Sequence, residues 1–210
     1  METLETAEFK MQATEMAELV RSLAQKGLTP ATSTNYSFRL KETEHVAVSR
    51  SGVDKEKFTD QDMILVDLQG MVVAPSGAKQ SAETLLHTMI YRNFDVGSIL
   101  HSHSVLSTVL SKVYREKNGI HFQGYEVLKG LNGVESHEES VFLPIFPNSQ
   151  NMGYLSQLVE SYLLENRRTY GFLIEGHGLY AWGKDIKEAK RHLEVYEFLF
   201  QCLAEEKRWE

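Results

Sequence analysis

Apolar positions open the chain with a helical rhythm. Phe9, Ala13, Met16, Leu19, Val20 and Leu23 recur at three- and four-residue spacing, and Gly27 and Pro30 end the pattern. The rhythm then shortens to apolar runs bounded by turn residues, which predict strands over 36–40, 45–49, 63–67 and 71–74, the last two joined at Gln69-Gly70. Segment 83–93 reads as a helix, 97–103 as a buried strand, and 105–114 as a helix capped by Ser104. A strand is predicted at 141–146, closed by Pro147, and a helix at 152–164. Two short strands, 172–174 and 179–182, bracket a Gly-His-Gly turn. From 185 to 210 the period is helical again, with Ile186, Ala189, Leu193, Tyr196, Leu199 and Phe200 as an apolar stripe suited to a core or a subunit contact. With no repeat, linker or composition break, the pattern predicts one α/β domain over 1–210, a mixed, mostly antiparallel central sheet flanked by helices.

Composition narrows the functions available. A chain of 210 residues can bury one good core, and 42% hydrophobic with 24% charged residues is ordinary for a soluble domain. The net charge of −7, with no long Lys/Arg block, excludes a general nucleic-acid surface, so an anionic substrate needs a local pocket. Cys202 is the only cysteine, which excludes an internal disulfide framework and a cysteine-based zinc site. No apolar run is long enough to span a bilayer and the N-terminus is acidic, which predicts a cytoplasmic protein without membrane partners.

The chemistry concentrates in three histidines. His101-Ser-His103 ends the apolar run that begins at Gly97, and on a strand residues two apart share a face, so both imidazoles can converge on one ion. Alone, such a pair is more often a hydrogen-bonded or exposed pair than a metal site. A third histidine in Glu175-Gly-His177-Gly changes the balance, and its flanking glycines permit a sharp turn and a close backbone approach. Three imidazoles with an open position is the arrangement of a catalytic zinc, whereas structural zinc is closed by four ligands.

Several short segments accompany these histidines in order. They are Thr29-Pro-Ala-Thr-Ser-Thr-Asn35-Tyr-Ser37-Phe-Arg39, Ser49-Arg-Ser51-Gly52, Lys79-Gln-Ser81-Ala-Glu83-Thr-Leu-Leu-His87, and the closing His177-Gly-Leu-Tyr-Ala-Trp182-Gly183-Lys-Asp. Together they resemble the class II aldolase/adducin family along almost the whole chain. The resemblance implies one Zn²⁺ per subunit held by His101, His103 and His177, a homotetramer, and a small ketose phosphate substrate. It implies phosphate binding by Asn35, Ser51, Gly52 and Ser81, whose neutral donors and amides can form an anion nest. Two departures stand out: Thr34 replaces the usual glycine, so the first phosphate loop is expected to differ in shape, and Ala82 replaces a second serine.

Gln123-Gly-Tyr-Glu126-Val-Leu-Lys-Gly130 and Ser81–His87 resemble the family's dehydratase branch, which acts on a methylthio-pentulose phosphate in methionine salvage. That resemblance assigns Glu126 as the acid/base. Glu83 is the second choice, by likeness to the acid of the aldolase branch; its bland alternative is a solvated residue at a helix N-terminus. The sister readings are a deoxysugar-phosphate aldolase or a pentulose-phosphate 4-epimerase, and a more distant one is an adducin-like, non-enzymatic interaction domain. His45, His121, His137 and His192 read as surface residues, His87 as packed or supporting, and Tyr180 and Trp182 as core. Glu175 is expected to hydrogen-bond a ligand imidazole, and 133–140 to form a solvated acidic loop.

Overall fold

Helix α1 (Ala7–Gln25) starts where the Thr6 hydroxyl accepts the Phe9 amide at 3.2 Å, and the chain leaves it through Gly27 at φ +72°. The structure is a computed structural model that describes residue 4, residues 6–41 and residues 43–209. The remaining elements are β1 (Tyr36–Arg39), β2 (Val46–Ser49), β3 (Met63–Val66), β4 (Val72–Ala74), α2 (Thr84–Asn93), β5 (Ser98–Ser102), α3 (Val105–Val113), β6 (Gly119–Phe122), β7 (Val141–Phe146), α4 (Met152–Glu165), β8 (Gly171–Ile174), β9 (Gly178–Gly183) and α5 (Ile186–Trp209). Position 210, the expected end of the last helix, lies outside the described residues.

The strands form one sheet in the order β4-β3-β2-β1-β5-β9-β8-β7-β6, antiparallel throughout except between β7 and β8. Helices cover both faces. Phe9, Met16 and Val20 of α1 share a core with Leu193, Tyr196 and Phe200 of α5, while Leu86 and Ile90 of α2 pack with Leu155 and Val159 of α4 on the other side. The predicted stripes of the first and last helices are therefore core of this chain. Each such large apolar side chain stabilises the fold by roughly 1.5–3 kcal/mol on full burial.

One strand escapes the sequence pattern, and one expectation is corrected here. Strand β6 has no counterpart in the apolar pattern: four residues on the sheet edge, paired only with β7 and entered through Asn118 at φ +56°, carry too little periodicity. His192 is not a surface residue. It is 2% exposed, its Nδ1–H donates to the Trp182 carbonyl at 2.7 Å, and its Nε2 accepts the Asn132 amide at 3.1 Å. Its charged neighbours Lys190, Arg191 and Glu194 mask its place on the face shared by Ala189, Leu193 and Tyr196. Burial there pushes the imidazole pKa down. Tyr180 and Trp182 are buried as expected, and His121 and His137 are exposed.

Candidate active site

The sheet order brings the three histidines together. His101 lies on β5, His103 directly follows it, and His177 immediately precedes β9, the antiparallel neighbour in which His101 pairs with Tyr180 and Ser102 with Leu179. The two glycines around His177 have separate reasons. Gly176 takes φ +62°, which makes the turn. At Gly178 a side-chain carbon would stand 2.0 Å from the Ser102 carbonyl oxygen, so only glycine permits the strand approach. Helix α3 braces the turn, with the Thr108 hydroxyl donating to the His177 carbonyl at 3.0 Å and the Gly176 amide donating to Ser111 Oγ at 2.9 Å.

The Nε2 atoms of the three rings converge. His103 to His101 is 2.7 Å, His101 to His177 is 3.3 Å, and all three donor atoms lie within 4.8 Å of one another. Nitrogens bound at about 2.05 Å to a tetrahedral ion stand ~3.3 Å apart, so the spacing suits a single metal ion. His101 Nδ1–H donates to the Leu179 carbonyl at 2.9 Å, which leaves its Nε2 lone pair free, and the ring stacks on Tyr180 at 3.9 Å. Burial drives the His101 pKa well down and, with the neighbouring His177, holds His103 at about 4. Neutral imidazoles are the form a metal requires.

Glu83, the residue just before α2, closes the group. Its Oε1 is 3.0 Å from His177 Nε2 and its Oε2 is 3.8 Å from His101 Nε2, with the side chain only 18% exposed. It is therefore not the solvated helix-end residue of the bland alternative. Burial pushes its carboxyl up, but His177, His101 and Asn35 together outweigh burial and hold it well below the usual carboxylate range. Behind it runs a one-way series of donors. Tyr91 O–H donates to Ser37 Oγ (2.8 Å), Ser37 O–H to His87 Nδ1 (2.7 Å), His87 Nε2–H to Asn35 Oδ1, and Asn35 Nδ2–H to Glu83 Oε2. The direction follows from the neutral state of His87, which burial pushes down to about 4. His87 is thus the packed, supporting histidine expected.

Beside Glu83 opens a pocket of about 180 Å³. All four anticipated phosphate residues, Asn35, Ser51, Gly52 and Ser81, line it together with Glu83 and His103. Gly52 takes φ +77° with open space where a side chain would be. Thr34, the departure in the first loop, adopts φ +74°, the left-handed region glycine enters freely, and its hydroxyl bonds the buried Tyr36 hydroxyl at 2.8 Å. A second cleft flanks the histidines on another side, lined by Pro30, Thr108, Asn148, Gln150 and Gly176 along with His103 and His177.

Other expected residues stand elsewhere. Glu126 lies on an exposed 3-10 turn (Glu126–Gly130), its side chain 70% exposed, bonded to Lys129 and 3.5 Å from His137; it lines neither cleft. The Lys129 contact lowers its pKa. Glu175 does not support a ligand imidazole: it pairs with Arg115 at 2.8 Å, and the carbonyl of Leu179 takes the role for His101. Tyr91 and the role of Ser37 were missed in the sequence. Their signal, polar groups on otherwise apolar helix and strand faces, is weak until the partners are known.

The chain matches the family profile described as Class II Aldolase and Adducin N-terminal domain over residues 14–204. It is 46% identical over 199 residues to the methylthioribulose-1-phosphate dehydratase of Stenotrophomonas maltophilia (strain K279a), covering 92% of each chain. It is 47% identical over 202 residues to the protein of the same name from Picosynechococcus sp. (strain PCC 7002), covering 95% of this chain and 94% of that one. Among solved structures it is similar to the L-fuculose-1-phosphate aldolase of Thermus thermophilus, with a TM-score of 0.71, 23% identity and 97% of each chain covered, a likeness of fold.

Proposed function

The chain belongs to the class II aldolase and adducin family, and on that premise we propose that it is a methylthioribulose-1-phosphate dehydratase, a hydro-lyase of methionine salvage. Its reaction removes water from 5-methylthioribulose 1-phosphate to give 2,3-diketo-5-methylthiopentyl 1-phosphate. The observation that carries the reading is one pocket lined by the four anion-site residues, Glu83 and His103, a member of the three-histidine cluster. The reading takes residues 1–210 as one catalytic domain, working in the cytoplasm as a homotetramer with one Zn²⁺ per subunit.

Asn35, Ser51, Gly52 and Ser81 would hold the phosphate and set the sugar chain against the histidines. A Zn²⁺ held by His101, His103 and His177 would supply Lewis acidity at the C2 carbonyl and C3 oxygen, making the C3 proton removable. Glu83 is the carboxylate of this chain placed to accept that proton. The donor series ending at Asn35 fixes its Oε2, and its Oε1 faces His177 Nε2 at 3.0 Å. Loss of the C4 hydroxyl requires a proton from an acid, and water departs; the resulting enol then takes a proton on carbon to become the diketone. Glu126 fills the acid role only where another copy of the chain brings it to the site, since within its own chain it faces solvent.

The test is diketone formation from 5-methylthioribulose 1-phosphate by the zinc-loaded protein, alongside Glu83→Gln and Glu126→Gln. Loss of turnover in Glu83→Gln alone leaves Glu126 without a chemical role; loss in both divides acid and base between them. Bound zinc with no diketone sinks the dehydratase reading and turns attention to fuculose 1-phosphate and ribulose 5-phosphate.

A further inference from the structure

Lys55 is a cationic side chain with almost no route to water. It is 1% exposed and belongs with the largest fully buried side chains of the protein. It follows the second anion-site loop, at the start of a 3-10 turn (Lys55–Lys57) where the Asp54 carboxylate accepts the Glu56 amide at 3.0 Å. Its Nζ donates to the Val53 carbonyl at 2.9 Å and the Thr32 carbonyl at 3.4 Å. Thr32 lies in the loop that carries Asn35, and Val53 directly follows Gly52. The ammonium therefore bridges the two loops whose other residues line the 180 Å³ pocket, while itself standing behind that lining.

The local charges make this position unusual. Asp62 is paired with Arg50 at 2.7 Å and Asp54 with Lys57 at 3.8 Å. Among the described residues no carboxylate comes within ion-pair distance of Lys55. Arg50 and Lys57 each have a carboxylate within ion-pair distance, whereas the Lys55 ammonium is hydrogen-bonded to carbonyls. On the pocket wall, Arg50 is committed to Asp62 and Glu83 is negative. In a protein of net charge −7, a dianion entering there meets no surplus positive charge from the lining itself. Burial lowers the Lys55 pKa and Asp62 and Asp54 oppose that, the balance of a cation held at a cost.

We propose that Lys55 is the electrostatic positioning residue of the anion site: from behind the pocket it ties the two loops together by one carbonyl each and supplies a buried positive charge that draws a phosphate dianion, without touching it. The inference rests on the phosphate reading of the pocket, so the experiment separates the two. The zinc-loaded enzyme is compared with Lys55→Met, Lys55→Gln, Ser51→Ala and Asp54→Asn. Inorganic phosphate is the competitive inhibitor, with zinc content and thermal stability measured in parallel. Both Lys55 variants are expected to keep their zinc and to raise the phosphate Ki and the substrate KM about tenfold, the scale of one screened buried charge acting on a dianion, with kcat changed much less. They should also lose part of the tightening that the native protein shows as phosphate becomes dianionic between about pH 6 and 8, which looser packing alone would not remove. Asp54→Asn keeps a capping side chain and removes an opposing charge, so it should lower Ki about twofold, and it decides the matter if the Lys55 variants do not fold. Ki unchanged in the Lys55 and Asp54 variants but raised in Ser51→Ala overturns the role of Lys55 alone. Ki unchanged in all four overturns the phosphate site itself.

Discussion

Replacing Gly178 by alanine tests whether strand contact sets the geometry of the histidine cluster. The added carbon would stand 2.0 Å from the Ser102 carbonyl oxygen and 3.1 Å from the His103 ring. Carbon and oxygen rarely sit closer than about 3.3 Å, so β5 and β9 must part by roughly 1.3 Å where Ser102 faces Leu179. That movement stretches the 2.9 Å bond from His101 Nδ1 to the Leu179 carbonyl beyond hydrogen-bonding range. One or two lost hydrogen bonds at ~1 kcal/mol each, added to the overpacking cost of ~1–3 kcal/mol, give about 3 kcal/mol. At 2–4 °C per kcal/mol for a chain of this size, the Tm should fall by roughly 6–12 °C. Because ligand positions tolerate shifts of only ~0.2 Å, zinc affinity should fall at least ~10-fold. Thermal melts of the metal-free protein and zinc competition against a chromogenic chelator read the two effects separately. Gly176→Ala is the control: it meets only the flexible Lys112 side chain at 3.6 Å and carries the left-handed backbone cost of ~1 kcal/mol. A Gly178→Ala protein that melts within about 2 °C of the native one and holds zinc equally well would refute the reasoning.

Thr34→Gly relieves left-handed strain of ~1 kcal/mol. It also adds chain entropy to the unfolded state and strands the Tyr36 hydroxyl, together ~2–3 kcal/mol, so a net loss of ~1–2 kcal/mol is expected in urea unfolding; a more stable variant would show that the Thr34–Tyr36 bond contributes little. For His87, the folded pKa of about 4 lies below the ordinary 6.5, so the unfolded chain takes up the proton first. Its contribution is complete above pH 6.5 and drains away between 6.5 and about 4, a loss of ~3 kcal/mol. Urea unfolding at about pH 7 and about pH 5, on either side of the unfolded value, should show a weaker pH dependence in His87→Gln than in the native protein; equal dependence in both would exclude His87 as a source.

Most of the fold was legible because its long helices and central strands repeat their apolar positions faithfully. The stripe from Ile186 to Phe200 and the run before His101 are clear cases. Strand β6 was not, since four edge residues with one exposed histidine carry little pattern. His192 shows a different failure: its position on the buried face follows from its spacing, but its charged neighbours outweighed the period. Around the site, the residues that line the pocket could be anticipated from local motifs, whereas the donor series through Tyr91, Ser37, His87 and Asn35 joins residues about fifty positions apart. Such long-range pairing leaves no local trace. Glu126 marks the same boundary from the other side, because a motif can suggest a role while the folded chain leaves the residue in solvent.

The sheet order also has a consequence for how the molecule assembles. β5 is central, flanked by β1 and β9, yet 76 positions separate His101 from His177. A chain still missing its last third has β5 paired on one side only, with an open strand edge that carries two of the three imidazoles. Such an edge recruits other strands readily, and closing so long a loop is slow. Metal capture must then await the arrival of β9, the same event that covers the exposed edge. Uptake of the proposed Zn²⁺ during refolding would thus act as a clock for the step at which the growing protein ceases to be prone to aggregation.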